Sequence, residues 1–150
     1  MARILVVDDN DDVRQLVRTV LIQEGHKVQI AADGETALQT MRSQPPDVLI
    51  LDIMMPNVDG YTVLKKMTEE GLKKRVKVLV LTAKNAEADW IRGYRLGADH
   101  YLTKPFMMAD LLSTLNEMLR MTIDQLRKRR AEEIEKARLL SRLENVFGDI

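Results

Sequence analysis

Acidic side chains in this sequence come directly after short apolar runs. Asp8 and Asp9 follow the run from Ile4 to Val7, and Asp52 follows the run from Val48 to Leu51. Carboxylates that lie close together repel one another, and each raises its neighbours' pKa unless a cation is present. Mg²⁺ relieves this repulsion well, because it takes few carboxylates and keeps water or phosphate oxygens as its remaining ligands. The three aspartates therefore predict a Mg²⁺ site, provided that the fold brings them together.

Thr82 and Lys104 follow two later apolar runs. The Thr82 hydroxyl can hydrogen-bond a phosphoryl oxygen, and the Lys104 ammonium can neutralise one. A cis bond to Pro105 would be one way to aim the lysine side chain. Each residue alone has an ordinary explanation, because Asp8, Asp9 and Thr82 could cap helices and Lys104 could be a surface lysine. The joint pattern favours a common site, since separate coincidences would have to fall at four strand ends.

The elements that position these residues alternate along the chain. The apolar runs are short and rich in β-branched residues, which is typical of strands buried on both faces, and segments with helical spacing separate them. Five repeats of strand then helix predict an α/β fold, with a parallel sheet, right-handed crossovers and ligands at the carboxyl ends of the strands. The predicted strands are 4–7, 28–31, 48–51, 76–81 and 98–102, and the predicted helices are 12–24, 35–43, 58–70, 87–96 and a fifth that begins near Met107 and continues to Gly148.

Composition excludes several classes of protein. The 150 residues suit one domain with a short appendage, and the 23 basic and 23 acidic residues cancel, so a general affinity for nucleic acid or anionic membrane is not expected. The absence of cysteine excludes disulfides, thiol catalysis and thiolate metal sites. No segment is apolar enough to span a bilayer, and the first apolar run is too short for a signal peptide. We expect a cytoplasmic protein with no membrane or nucleic-acid partner.

Four motifs stand out: residues 4–9, 47–60, 80–83 and 99–106. Together they resemble the signature motifs of the receiver domain of two-component response regulators, and the resemblance covers about the first 120 residues. It implies a flavodoxin-like, doubly wound five-stranded parallel sheet of order 2-1-3-4-5 with five helices. The implied domains are a receiver at 1–121 and a helical extension at 122–150.

The resemblance also assigns roles. It implies that Asp52 accepts a phosphoryl group from a phosphohistidine on a histidine kinase or phosphotransfer protein, with small acyl phosphates as substitutes. No expected element is missing, so we expect a competent receiver that transfers the phosphoryl group to itself and later hydrolyses it, with no other enzymatic activity in this chain. The implied Mg²⁺ ligands are Asp9, Asp52 and the Met54 backbone carbonyl, with Asp8 reaching the ion through water, and the implied phosphoryl contacts are Thr82 and Lys104.

Met54 bears on the lifetime of the phosphorylated state, and Thr82 and Tyr101 bear on how the signal leaves the site. Some receivers place a polar side chain two residues after the phosphoacceptor to orient the attacking water, and Met54 cannot do this, so we expect a long-lived phosphorylated state. Thr82 and Tyr101 match the residues that move on activation in the family. A half-buried strand tyrosine is the alternative for Tyr101, and the resemblance favours the switch role. The face formed by the fourth helix, fifth strand and fifth helix is then expected to change, and Trp90 in the fourth helix would report it by fluorescence.

The extension favours a dimer. More than half of the residues in 124–144 are charged. A set of positions steps by three and four residues, which indicates a heptad seam with a four-residue stutter: Leu119, Ile123, Leu126, Arg130, Ile134 and Ala137. We favour a weak homodimer through a parallel coiled-coil stalk, aided by the receiver face, over a single solvated helix. The basic run 127–130 is offset by nearby glutamates, so DNA binding is not expected.

The last residues, 143–150, include apolar side chains that we expect to lead into an output domain. They bear a weak similarity to the helix that enters class III nucleotide cyclases, and a diguanylate cyclase or a kinase-type output is nearly as plausible. Two rivals remain. A haloacid dehalogenase-type enzyme would need an aspartate in place of Met54, and a phosphorylation-independent dimerisation module would not need the acidic pair, Thr82 and Lys104.

Overall fold

A computed structural model describes residues 1–83 and 87–147, with the side chains of 87–90 and 147 outside the description. Five strands form one parallel sheet of order β2-β1-β3-β4-β5. This is the order that the receiver resemblance implies, and it places the carboxyl ends of β1, β3, β4 and β5 at one edge. The strands are β1 Arg3–Val7, β2 Lys27–Ala31, β3 Val48–Asp52, β4 Lys77–Thr82 and β5 His100–Thr103.

Helices pack on both faces of the sheet, around two separate apolar clusters. Side chains from α2, α3 and α4 contribute to the cluster on one face, and those from α1, α5 and the start of α6 to the cluster on the other. The central strand β3 is buried along its whole length, as its uninterrupted apolar run predicts. The helices are α1 Asp11–Gln23, α2 Gly34–Ser43, α3 Gly60–Glu69, a short 3-10 helix Leu72–Lys74, α4 Glu87–Leu96, α5 Met108–Arg120 and α6 Ile123–Phe147.

The chain after β1 does not use Asp8 or Asp9 as a helix cap. Asn10 caps α1, because its side-chain oxygen accepts a hydrogen bond from the Val13 N–H over 3.1 Å. The capping explanation for the acidic pair is therefore wrong, and both carboxylates are available for another role.

The predicted fifth helix is broken, so the described chain has six α-helices and not five. The break lies at Met121 and Thr122. The Thr122 N–H donates to the Gln125 side chain over 2.9 Å, and the Gln125 N–H donates to the Thr122 hydroxyl over 3.0 Å. This reciprocal pair is a capping box, which begins a new helix and so ends the old one. The Lys77 ammonium binds the carbonyls of Met118 and Met121 at 3.0 and 2.6 Å, which satisfies the end of α5.

Helix α6 folds back onto the α/β domain. Leu126 is 1% exposed within the cluster of α1 and α5, and α6 also packs against α4. Arg129 bridges to Glu117 of α5 at 3.0 Å and lies 2.6 Å from the His100 ring of β5. The face formed by α4, β5 and α5 is therefore covered by α6, and the first part of the predicted heptad seam contacts this domain. The coiled-coil stalk stays a prediction. Within the described ranges, no helix is long and apolar enough to cross a bilayer.

Candidate phosphoryl and metal site

The end of β1 supplies a fully buried carboxylate. Asp8 accepts the Asn10 N–H at 2.9 Å and the Lys104 ammonium at 2.7 Å. The Arg14 guanidinium donates to the Asp8 backbone carbonyl over 2.7 Å. These contacts hold the Asp8 side chain toward the edge of the sheet, because each fixes a different atom of the residue.

The end of β3 supplies Asp52, which is 2% exposed. Its Oδ1 atom accepts the Met54 N–H over 3.0 Å. Helix α3 begins against this strand end, and a Cβ added at Gly60 would lie 2.7 Å from the Ile53 Cα and 2.8 Å from the Asp52 carbonyl oxygen. Only glycine permits that close approach, so Gly60 allows the loop after Asp52 to return tightly to the domain.

Three carboxylates converge at this edge, as the sequence predicts. Oxygen atoms of Asp8, Asp9 and Asp52 lie within 4.8 Å of one another, and Asp9 is the exposed member. Burial, followed by the charge of Asp8, raises the pKa of Asp52 to about 7, against the opposing effect of Lys104. A cluster of hard oxygen donors with excess negative charge fits Mg²⁺.

Residues after β4 and β5 complete the edge. Thr82 is buried, and its carbonyl accepts the Lys104 N–H over 2.8 Å, which ties the two strand ends together. The Lys104–Pro105 peptide bond is cis. The Lys104 ammonium lies 3.6 Å from Asp52 Oδ2. The fold thus gathers the predicted residues, whose individual roles stay predictions; the Met54 side chain is 52% exposed beside them.

Tyr101, in the middle of β5, points into the domain and is 8% exposed. Its ring packs edge-on against Tyr94 of α4, with centroids 5.0 Å apart. A Cβ at Gly93 would lie 1.2 Å from the Tyr101 hydroxyl oxygen, so this inward position requires glycine on α4. The Trp90 side chain, proposed as a reporter, lies outside the described residues.

Residues 4–116 match the family model for the response regulator receiver domain. The chain belongs to the response regulator receiver family. It is 42% identical over 120 residues to response regulator MprA of Mycobacterium ulcerans (strain Agy99), which covers 80% of this chain and 51% of that protein. The receiver therefore spans about half the length of the curated relatives that it matches.

Solved structures agree with the receiver fold. The chemotaxis protein CheY4 of Vibrio cholerae is 35% identical, with a TM-score of 0.75, covering 79% of this chain and 98% of that one. A response regulator of Chloroflexus aurantiacus J-10-fl is 38% identical, with a TM-score of 0.74, covering 80% and 98%. A beryllofluoride-activated receiver domain, DrrB, is 30% identical, with a TM-score of 0.72, covering 81% and 99%.

A second buried carboxylate, which the sequence patterns did not predict, lies at the opposite edge of this receiver. Asp99 is 3% exposed and accepts the Val78 N–H at 2.7 Å and the Lys73 ammonium at 2.9 Å. Its other oxygen pairs with Arg130 of α6. No local motif marks this contact, because its partners come from three separate parts of the chain. The break before α6 did have a signal, which is the Thr122 to Gln125 capping box.

Proposed function

We propose that this receiver is the phosphorylation-controlled switch of a cytoplasmic two-component system and that Asp52 is its phosphoacceptor. Response regulators take their phosphoryl groups from histidine kinases, directly or through a phosphotransfer protein. The observation that carries the proposal is the placement of Asp52, buried at the sheet edge beside two other carboxylates and 3.6 Å from the Lys104 ammonium. This arrangement offers a nucleophile, a place for a cation and a fixed positive charge together.

Asp9, Asp52 and the Met54 backbone carbonyl would hold the metal, with Asp8 bound through a water molecule. When bound there, Mg²⁺ offsets negative charge on the oxygens of the group in transfer. The acidic cluster supports this assignment, because three carboxylates with one ammonium leave an excess of negative charge at the edge.

The receiver's own side chains perform the transfer. Asp52 attacks the phosphorus atom, the new P–O bond forms as the P–N bond to the donor histidine breaks, and the imidazole leaves. Asp52 attacks in its ionised form, so the raised pKa of this carboxyl must fall when a cation binds. Lys104 then pairs with a phosphoryl oxygen, and Thr82 donates its hydroxyl to another.

The signal would leave through Thr82 and Tyr101. Movement of Thr82 toward the phosphoryl group would change the space behind it. Tyr101 belongs to the neighbouring strand β5 and packs against Tyr94 of α4, so a turn of its ring would carry that change to the face of α4, β5 and α5. Helix α6 covers this face, so a change there alters how firmly α6 is held. A released α6 would form the predicted homodimer and control an output domain, for which a nucleotide cyclase is one candidate.

Labelling of the full chain tests the phosphoacceptor. Incubation with Mg²⁺ and acetyl phosphate or phosphoramidate should add the mass of one phosphoryl group, and chelation of the metal should prevent it. Asp52→Asn should lose the label, whereas Asp12→Asn, at an exposed acid of α1, should keep it. A label that survives in Asp52→Asn would remove Asp52 from this role.

Sedimentation tests the output step and separates it from the alternative of a phosphorylation-independent module. Beryllofluoride, which activates the related DrrB receiver domain, serves as the phosphoryl mimic. A switch should gain dimer when beryllofluoride and Mg²⁺ are added. The same dimer fraction with and without them would favour the constitutive module.

A further inference from the structure

The base of the domain holds a cleft that only the folded-back α6 completes. The end of α3 and the 3-10 helix form one wall, the end of α4 a second, and the start of α6 a third, around a volume of about 230 Å³. Half of the lining residues are cationic and the lining set contains no acid: the cations are Lys73, Lys74, Arg95, Arg127 and Arg130.

Asp99 neutralises only part of this charge. It pairs with Lys73 and Arg130, beneath the cleft. Lys74, Arg95 and Arg127 have no carboxylate within ion-pair distance among the side chains that the structure describes. Because the whole chain carries no net charge, this concentration is local and does not follow from a basic composition.

Two details indicate that Asp99 leaves the charge of the cluster incompletely balanced. Burial lowers the pKa of Lys73, and the charges of Arg130 and Arg127 lower it further against the effect of Asp99. The Arg130 Nε atom is buried and has no hydrogen-bond acceptor within the described part of the chain. Groups this close repel one another unless an anion lies between them.

We propose that this cleft binds a polyphosphate group of two or three phosphates, either inorganic or as the phosphate chain of a nucleotide. The volume is below that of sites that enclose drug-sized ligands, so the phosphates would enter and any remainder would lie outside. Guanidinium groups match phosphate geometry through paired hydrogen bonds, and Arg95 and Arg127 approach from different elements.

The ligand would link α6 to the receiver. Arg127 and Arg130 belong to α6, whereas Lys74 and Arg95 belong to the domain that it covers. A ligand that needs both walls binds only when α6 is docked, so binding stabilises the docked state by linkage. Polyphosphate would then oppose the release of α6 whether or not Asp52 is phosphorylated.

Titration of the full chain with sodium tripolyphosphate at constant ionic strength tests the site. Wild type should bind saturably, and hydrogen exchange in 123–137 should slow. Arg127→Gln should bind about tenfold more weakly, a loss of one paired contact. Arg18→Gln, which removes the same charge from an exposed position on α1, should bind as wild type does.

A parallel titration with a nucleoside triphosphate distinguishes inorganic polyphosphate from a nucleotide as the ligand. Equal affinity for both compounds supports recognition of the phosphate chain alone, and tighter nucleotide binding supports the same site with added contacts outside it. The proposal fails if tripolyphosphate does not saturate, if Arg18→Gln weakens binding as much as Arg127→Gln does, or if binding leaves exchange in α6 unchanged. Because Arg127 is exposed, loss of binding in its variant is not explained by failure to fold.

Discussion

Two buried aspartates lie at opposite edges of one sheet, in surroundings of opposite sign. Asp52 faces two other carboxylates and one ammonium, and its pKa is raised. Asp99 faces an ammonium, a guanidinium and a backbone N–H, and each of them makes a direct contact with its carboxylate. A buried carboxylate among repelling neighbours needs a cation to ionise readily. One among attracting neighbours holds elements together, and here it holds α6.

Strand β5 connects these two environments. Asp99 precedes the strand, Tyr101 lies within it, and Lys104 follows it directly. A shift of β5 by a fraction of its length would therefore alter both edges together. Substitutions at each edge, and then in the strand between them, test whether the two aspartates differ in this way.

The largest contrast should come from the same substitution at the two aspartates. Asp99→Asn leaves Lys73 and Arg130 without a buried counter-charge and should lower the free energy of unfolding by about 3 kcal/mol. Asp52→Asn removes a repelled carboxylate and should raise it by about 1 kcal/mol at pH 8 without Mg²⁺. Urea denaturation monitored by circular dichroism measures both. If both substitutions changed the free energy of unfolding in the same direction, the proposed difference between the two aspartates would be wrong.

The pH dependence of stability should follow Asp52. Its pKa rises from 3.8 to about 7 on folding, so between these values the folded carboxyl keeps a proton that the unfolded chain releases. The contribution of Asp52 to the free energy of unfolding is therefore fully present below about pH 4 and is lost as the pH rises through 7. Relative to Asp52→Asn, metal-free wild type should lose stability across this range, and Mg²⁺ should restore it above pH 7. If the free energy of unfolding varied with pH in the same way for wild type and Asp52→Asn, the raised pKa would be contradicted.

Gly93→Ala should disturb the strand between the two edges. The added methyl would lie 1.2 Å from the Tyr101 hydroxyl oxygen, so the ring must turn outward or α4 must shift. Overpacking of this kind costs about 1–3 kcal/mol. The near-ultraviolet circular dichroism of tyrosine should change, and the double variant Gly93→Ala, Tyr101→Leu should recover stability. Equal stability of the single and double variants would show that Tyr101 is not the group displaced.

Deletion of 122–150 should separate the two edges. It removes Arg130 from Asp99 and Leu126 from the core, so stability should fall. The residues around Asp52 all lie before the deletion, so labelling by acetyl phosphate should persist at the rate of the full chain. A deletion variant that stays folded by circular dichroism but fails to be labelled would place α6 within the working site.

The smallest effect should come from Met54. This exposed side chain cannot orient a water molecule, whereas asparagine can, so Met54→Asn should shorten the lifetime of the phosphorylated state severalfold. Loss of the label from purified phosphoprotein over time, followed by intact mass, gives the rate. Met54→Leu is the matched control and should keep the long lifetime; an unchanged rate in Met54→Asn would remove the explanation.

The fold and the edge around Asp52 could be predicted from sequence because both depend on local patterns. Apolar runs mark the strands, and the topology of parallel sheets brings their carboxyl ends together whatever the details of packing. Asp8 and Asp52 each stand directly after such a run, and Lys104 stands two residues after one, so their convergence needs no knowledge of side-chain contacts.

The edge around Asp99 could not be predicted in this way. Asp99 precedes strand β5, and its partners Lys73 and Arg130 stand far from it in the chain, without any shared motif. The docking of α6 was hidden by its charged residues, which are equally typical of a solvated helix. Leu126 and Arg130 occupy predicted seam positions, yet they contact their own domain, since a heptad pattern does not specify which surface it meets.

The contact of Lys77 with the carbonyls of Met118 and Met121 has a mechanical consequence. It fastens the end of α5 to the first residue of β4, so a pull on the carboxyl terminus meets a fixed anchor at that point. Force applied there would detach α6 from the domain, beginning at the C-terminal end of the helix. Detachment would stop at Thr122, with the sheet intact. In single-molecule stretching, α6 should therefore come off as a separate low-force step before the rest of the protein unravels.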